Sequence, residues 1–256
     1  MDQRLNVYAL PSLAAPEELA GGTAVVIDVL RACTTIVHAL EAGAIEVIPC
    51  LEVDEARAIA ARYPVQDVVL GGERQGLPVA GFHLGNSPSE YTPDRVEGRT
   101  LVFTTTNGTR AMFQCRRAKR VLIGAFVNAA AVFGQLVGQD EIHLICAGTE
   151  NQVSRDDVLL AGFLVDRLQR QGGIMYQLNA QALTARENWT SSFAVPYAVG
   201  AEPLPPDLLV RELRKSTGGR NLTAIGLEED IDTAAQIDRF QVVPEMDPQT
   251  LRIRVP

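Results

Sequence analysis

The chain has 256 residues, 46% hydrophobic and 21% charged, enough for one large α/β domain or two small ones. A net charge of −8 and a pI near 5.0 exclude a global nucleic-acid footprint, so an anionic ligand needs a local gathering of positive groups. No apolar run approaches the length of a membrane span, which excludes a membrane-spanning helix.

In chain order, Leu5 to Leu10 reads as a first edge strand, followed by a Pro/Ala/Glu-rich connection from Pro11 to Gly22. Ala24 to Leu30 is β-branched and apolar, the composition of a buried strand, with Asp28 inside it. A helical pattern runs to Ala42 and closes at Gly43. Ile45 to Cys50 predicts a strand, Val53 to Arg62 a helix, and Val68 to Leu70 a strand ending in Gly71-Gly72-Glu73-Arg74. Gly71 to Gly98 has little periodicity; a loop this long inside a domain points to function or disorder.

The pattern resumes with a Thr100–Phe103 strand, a Thr109–Cys115 helix, an Arg120–Ile123 strand and a helix from Asn128 to Leu136. Glu141 to Cys146 is a strand. A helix follows from Asp156 to Gln169, with Ser154 as N-cap. Further helices are read over Ala180–Val195 and Pro203–Arg214, then a glycine-rich polar patch over Ser216–Asn221, and short strands at Gln241–Val243 and Leu251–Ile253. Strands alternating with helices predict a single three-layer α/β/α domain over residues 1–256, its sheet largely parallel or mixed and covered by helices on both faces.

The polar residues gather just after strands: Asp28 with Arg31, Glu73 with Arg74, Thr106-Asn107-Gly108-Thr109-Arg110, and Glu150 with Asp156 and Asp157. Ligands of open α/β sheets bind at the carboxyl ends of strands, so these clusters are expected on one rim. Asn107 to Arg110 sits where a strand gives way to a helix. Free N–H groups, the helix dipole, the close approach allowed by Gly108 and the fork of Arg110 make a phosphate or sulfonate cradle. An Asn-Gly turn with a threonine cap is the plainer reading of the same residues. Carboxylates with few His or Cys suit a hard cation, magnesium rather than zinc. Asp28 and Glu73 are the first candidate ligands, then Asp157 and Asp156, although acids at a helix start also serve the dipole. His38 and His143 read as structural, and Trp189 as core. Cys33, Cys50, Cys115 and Cys146 have neither metal nor redox spacing, and Met1 to Asn6 lack the order of a secretory leader. Buried thiols in a reducing cytoplasm are expected.

With these segments in place, the chain resembles the 2-phosphosulfolactate phosphatase family, known as ComB. The matching pieces are Val26-Ile27-Asp28-Val29-Leu30-Arg31-Ala32, Gly72-Glu73-Arg74 and Gly81-Phe82-His83-Leu84-Gly85-Asn86-Ser87-Pro88. Thr105 to Arg110, Cys146 to Thr149 and Asp156 to Gly162 follow in the same order. Cys33 stands where a threonine or serine is usual, and His83 where an acidic residue is common.

The resemblance implies magnesium-dependent hydrolysis of 2-phosphosulfolactate to 3-sulfolactate and phosphate, a step toward coenzyme M in methane-forming archaea. It makes Asp28, Arg31, Glu73 and Asp157 the catalytic candidates. The substrate-binding candidates are Arg74, Asn86, Ser87, Thr106, Asn107, Gly108, Thr109, Arg110 and Arg220. The expected partner is a small anionic phosphorylated substrate, with no nucleic acid and no membrane; a homo-oligomer stays open. The rival readings are a phosphatase for another small phosphorylated hydroxy acid and a sensor that binds phosphate or nucleotide without turnover.

Overall fold

The computed structural model describes residues 3–171, 173–194 and 204–256. The first half runs β1 (Arg4–Tyr8), β2 (Thr23–Ile27), α1 (Ala32–Glu41), β3 (Glu46–Cys50), α2 (Val53–Ala60), β4 (Val68–Arg74), β5 (Leu77–Pro78), α3 (Pro93–Val96) and β6 (Thr100–Thr104). Then come α4 (Gly108–Gln114), β7 (Arg120–Gly124), α5 (Ala129–Leu136), β8 (Glu141–Cys146), α6 (Arg155–Gln171), β9 (Gln177–Leu178) and α7 (Ala180–Ser192). Among the described residues, α8 (Pro206–Arg214), α9 (Thr217–Ala224), α10 (Glu229–Ala234), β10 (Glu245–Met246) and β11 (Ile253–Arg254) complete the chain.

Alternation along β2 explains the layers. Side chains point to opposite faces of a strand in turn. Ala24 and Val26 pack with Ile36, Val37 and Leu40 of α1 and Met112 of α4. Val25 and Ile27 pack on the other face with Val132 of α5, Leu160 and Leu164 of α6, and Leu209 of α8. Every residue of β2 is buried, as a strand covered on both faces must be. A smaller cluster joins α2 to Ile48 and Val102. Trp189 stacks among Phe126, Phe163 and Phe193, at a ring distance of 4.4 Å from Phe193, and is a core residue as expected.

The described strands form one sheet in the order β5-β4-β6-β3-β11-β10-β7-β2-β8-β1-β9. It is mixed. β4, β6 and β3 pair in parallel, as do β7, β2, β8, β1 and β9. The short hairpin β10–β11 joins these two blocks, antiparallel to β7 on one side and to β3 on the other. Glu46 at the start of β3 is buried and binds Arg252 and Arg254, which fastens the hairpin.

Several expectations shift. The first strand is not an edge, because β9 pairs along its outer side. The strand read to Leu30 ends at Ile27, so Asp28 lies just past it. The irregular middle contains the end of β4, a turn with positive φ at Gln75 and Gly76, and β5. The patch at Ser216–Asn221 is helical: Ser216 Oγ accepts from the Gly219 N–H at 2.9 Å and opens α9. The last strands fall at Glu245–Met246 and Ile253–Arg254. Val195 and Pro203, the outer limits of two predicted helices, lie outside the described residues.

Candidate active site

A cavity of about 340 Å³ opens where β2, β4, β6 and β8 end. Asp28 and Arg31 come from the β2–α1 turn, Glu73 from β4, Thr105 to Asn107 from the β6–α4 turn, and Thr149 and Glu150 from the loop after β8. The far wall is a face of α9 and the residue that caps it: Gly218, Asn221, Leu222 and the capping Ile225 recur at helical spacing. Three of the expected strand-end clusters thus meet at one cavity, and the fourth reaches it through Glu150. Glu150 and Gln75 hold positive φ in its wall.

The carboxylates differ sharply in what they touch. Asp28 is buried; Oδ1 accepts from the Ala32 N–H at 3.2 Å, while Oδ2 has no hydrogen-bond partner among the described residues. Burial first, then the charges of Asp156 and Glu73, push its carboxyl up to about 7, against the pull of the Ala32 N–H and of Arg31. Glu73 instead braces two turns. Oε1 accepts from the Thr106 N–H at 2.7 Å and Oε2 from the Gly76 N–H at 2.7 Å. Asp157 lies behind the wall, taking the Val29 and Gly148 N–H groups at 2.9 Å each. Asp156 accepts from the Ser154 hydroxyl. Ser154 stands directly before α6, at the expected N-cap position. Burial raises both acids, and for Asp157 the charges of Asp156 and Asp28 add to it.

The expected set of four magnesium ligands is therefore not assembled. Among the described residues, no group of three or more His, Cys, Asp or Glu is placed to hold a metal. The residues still fit a magnesium ion of the kind that takes one or two carboxylates and leaves its other positions to water and substrate phosphate. The Oδ2 of Asp28, without a hydrogen-bond partner among the described residues and facing the negative charge of Asp156 and Glu73, is the protein oxygen suited to it.

The anion-binding candidates also separate. Arg31 lines the cavity and is buried; the preceding Leu30–Arg31 peptide bond is cis. Arg74 turns away, donating to the carbonyls of Glu73 and Leu51 and to Thr104 Oγ1. Arg110 is exposed and outside the cavity lining. Arg220 folds back on the Lys215 carbonyl and Thr217 Oγ1, leaving Asn221 beside it to face the cavity. Thr109 is used locally, its hydroxyl on the Thr105 carbonyl at 2.8 Å and its N–H on Thr105 Oγ1 at 3.3 Å. The Thr106 N–H is taken by Glu73, and of the two residues that follow, Asn107 lines the cavity while Gly108 is buried behind it. Gly108 is needed for contact: a Cβ there would lie 2.5 Å from Ala32 Cβ and 2.6 Å from Asp28 Oδ2. The space a methyl would need there is filled by protein atoms.

Asn86 lines the cavity, with Oδ1 buried and without a partner. Ser87 points away from it, to Asp230. Asn221 closes the polar patch read from sequence, whereas Asp230, Leu222 and Ile225 carry no such mark. No local pattern marks Asp230, because its partner Arg31 is 199 residues away. The apolar residues of α9 carry only a helical spacing. Of the two departures from the family pattern, Cys33 is buried with its thiol on the Val26 carbonyl, and His83 accepts the Leu70 N–H outside the cavity.

A family model described as 2-phosphosulpholactate phosphatase matches residues 8–249. The chain is similar to three proteins each named a probable 2-phosphosulfolactate phosphatase. The one from Symbiobacterium thermophilum is 39% identical, over 89% of this chain and 92% of the relative. The one from Deinococcus radiodurans is 39% identical over 96% and 94%. The one from Thermotoga maritima is 36% identical over 88% of each. No helix of the described residues is long and apolar enough to cross a membrane.

Proposed function

The chain belongs to the 2-phosphosulpholactate phosphatase family, and on that footing we propose that it hydrolyses 2-phosphosulfolactate to 3-sulfolactate and inorganic phosphate with the help of magnesium. The observation that carries the site assignment is Asp28 Oδ2, set in the cavity wall without a partner and under the charge of Asp156 and Glu73. Water's oxygen bonds to phosphorus as the ester oxygen–phosphorus bond breaks, and the leaving alkoxide takes a proton to become the hydroxyl of 3-sulfolactate. Asp28 would hold the magnesium ion, which supplies charge stabilisation to the phosphoryl oxygens. The Asn107 N–H donates to the phosphate, beside Asp28. Arg31 meets the other acid groups. Glu73 fixes the Thr106 and Gly76 turns that shape this end of the cavity. A cytoplasmic setting without nucleic-acid partners belongs to the same proposal, supported by four buried free thiols and the acidic net charge.

The test is phosphate release from a panel of phosphorylated hydroxy acids, before and after chelation with EDTA. Release from 2-phosphosulfolactate should exceed that from the others, vanish on chelation and return with magnesium. Full turnover by exhaustively chelated protein overturns the metal assignment. Release only from a different phosphorylated acid moves the substrate.

A further inference from the structure

Arg31 is held by a carboxylate far away in sequence. Its side chain is 3% exposed, and Nη1 donates to Asp230 Oδ2 at 2.8 Å while Nη2 donates to the Gly76 carbonyl at 2.8 Å. A guanidinium carries five N–H groups, so three remain without a partner among the described residues. Asp230, on α10, is equally buried. Its other oxygen, Oδ1, accepts from the Ser87 hydroxyl. Ser87 follows Asn86, whose carbonyl is pinned by Thr35 Oγ1 at 2.9 Å and whose side chain lines the cavity beside Arg31. One carboxylate thus ties the β2–α1 turn to the 86–87 segment, and Arg31 and Asn86, one at each end, both line the same cavity.

We propose that Asp230 is a positioning residue for substrate recognition: it locks the Arg31 guanidinium and the Ser87–Asn86 segment in register, so that Arg31 and Asn86 form one receptor for one of the substrate's two acidic groups other than phosphate. The inference rests on the proposed phosphatase reading for the identity of that group. The chemistry is directional. A planar guanidinium offers a fork that matches an oxyanion only when its plane is fixed, and a buried arginine without Asp230 is free to rotate toward other acceptors. The sign separates this role from a purely electrostatic one. Removing a negative charge beside an anion site should tighten anion binding through space, whereas loss of positioning should weaken it.

The two reaction products probe the two subsites separately, by calorimetric binding that needs no turnover. Asp230→Ala should weaken 3-sulfolactate more than tenfold and leave inorganic phosphate within about twofold of wild type. Asp230→Asn can still accept from Arg31 and donate to Ser87, so it should bring 3-sulfolactate back to within about threefold. In turnover, Asp230→Ala should raise KM for 2-phosphosulfolactate far more than it lowers kcat. Should Asp230→Ala fail to fold, Ser87→Ala removes only the second bond of the strut and should weaken 3-sulfolactate about threefold to fivefold. Equal losses for both products, equal losses in Ala and Asn variants, unchanged 3-sulfolactate affinity in the folded variants, or no 3-sulfolactate binding by wild type each overturn the receptor. Failure of the phosphatase reading shows separately, as no phosphate release by wild type from 2-phosphosulfolactate.

Discussion

Asp28 is held in a state that costs stability and serves chemistry. Its carboxyl ordinarily titrates near 3.8, and in the folded chain it titrates near 7. A group whose pKa rises on folding contributes stability at low pH, and that contribution is lost as pH climbs through the folded value. Asp28→Asn removes the charge at almost constant shape. In metal-free protein, the variant's gain in melting temperature over wild type should therefore grow between roughly pH 4 and pH 7. Turnover should move the other way, falling at least about a hundredfold, because a group meeting metal or phosphoryl charge supplies several kcal/mol. Paired melts and phosphate-release assays check both. A variant with near-normal turnover, or one whose stability relative to wild type falls with pH, removes Asp28 from the centre of the site.

At the scale of elements, the cavity depends on how closely α4 approaches α1. Gly108 opens α4, and its missing side chain lets Ala32 and Asp28 come within van der Waals reach. Gly108→Ala places a methyl at 2.5 Å from Ala32 Cβ, closer than packed carbons allow, so one helix must move. We expect a lower melting temperature, a kcat/KM reduced tenfold or more, and weaker product inhibition by phosphate. Arg110 sits two residues on but faces outward. Arg110→Lys should therefore stay much closer to wild type than Gly108→Ala in the same phosphate-inhibition assay. The reverse ranking would return Arg110 to the cradle.

At the scale of the molecule, the C-terminal hairpin stands between two parallel blocks of strands, fastened by Glu46 to Arg252 and Arg254. Glu46 is 4% exposed in its side chain, while its partners are 36% and 58% exposed. Removing the arginines strands a buried carboxylate, whereas neutralising Glu46 leaves only surface charges unpaired. The pair Arg252→Ala with Arg254→Ala should consequently lower the urea midpoint more than Glu46→Gln, corresponding to an unfolding free energy lower by about 1–3 kcal/mol after allowance for solvent screening at the arginines. Equal midpoints would show that the hairpin is held by strand pairing alone.

The amino-acid sequence by itself determined the α/β alternation, the buried strands at the centre of the sheet and the gathering of polar residues after them. Local composition suffices there, because a strand covered on both faces must be largely apolar, and β2, β3, β6, β7 and β8 are, apart from Glu46, Arg120 and Glu141 at the starts of β3, β7 and β8 and His143 within β8. Ordered motifs along the chain also identified the family. Only the tertiary structure decided which of the polar residues face the cavity. Asp157 and Glu73 look like ligands in sequence, yet their oxygens hold backbone N–H groups of turns brought together by the sheet. The glycines at 218 and 219 read only as part of a polar patch, because glycine disfavours helix. A Cβ at Gly219 would lie 2.2 Å from the Leu213 carbonyl, so packing of α9 against α8 requires what propensity penalises. Asp230 had no local signature at all, since a buried ion pair between residues 199 apart exists only once the chain has closed.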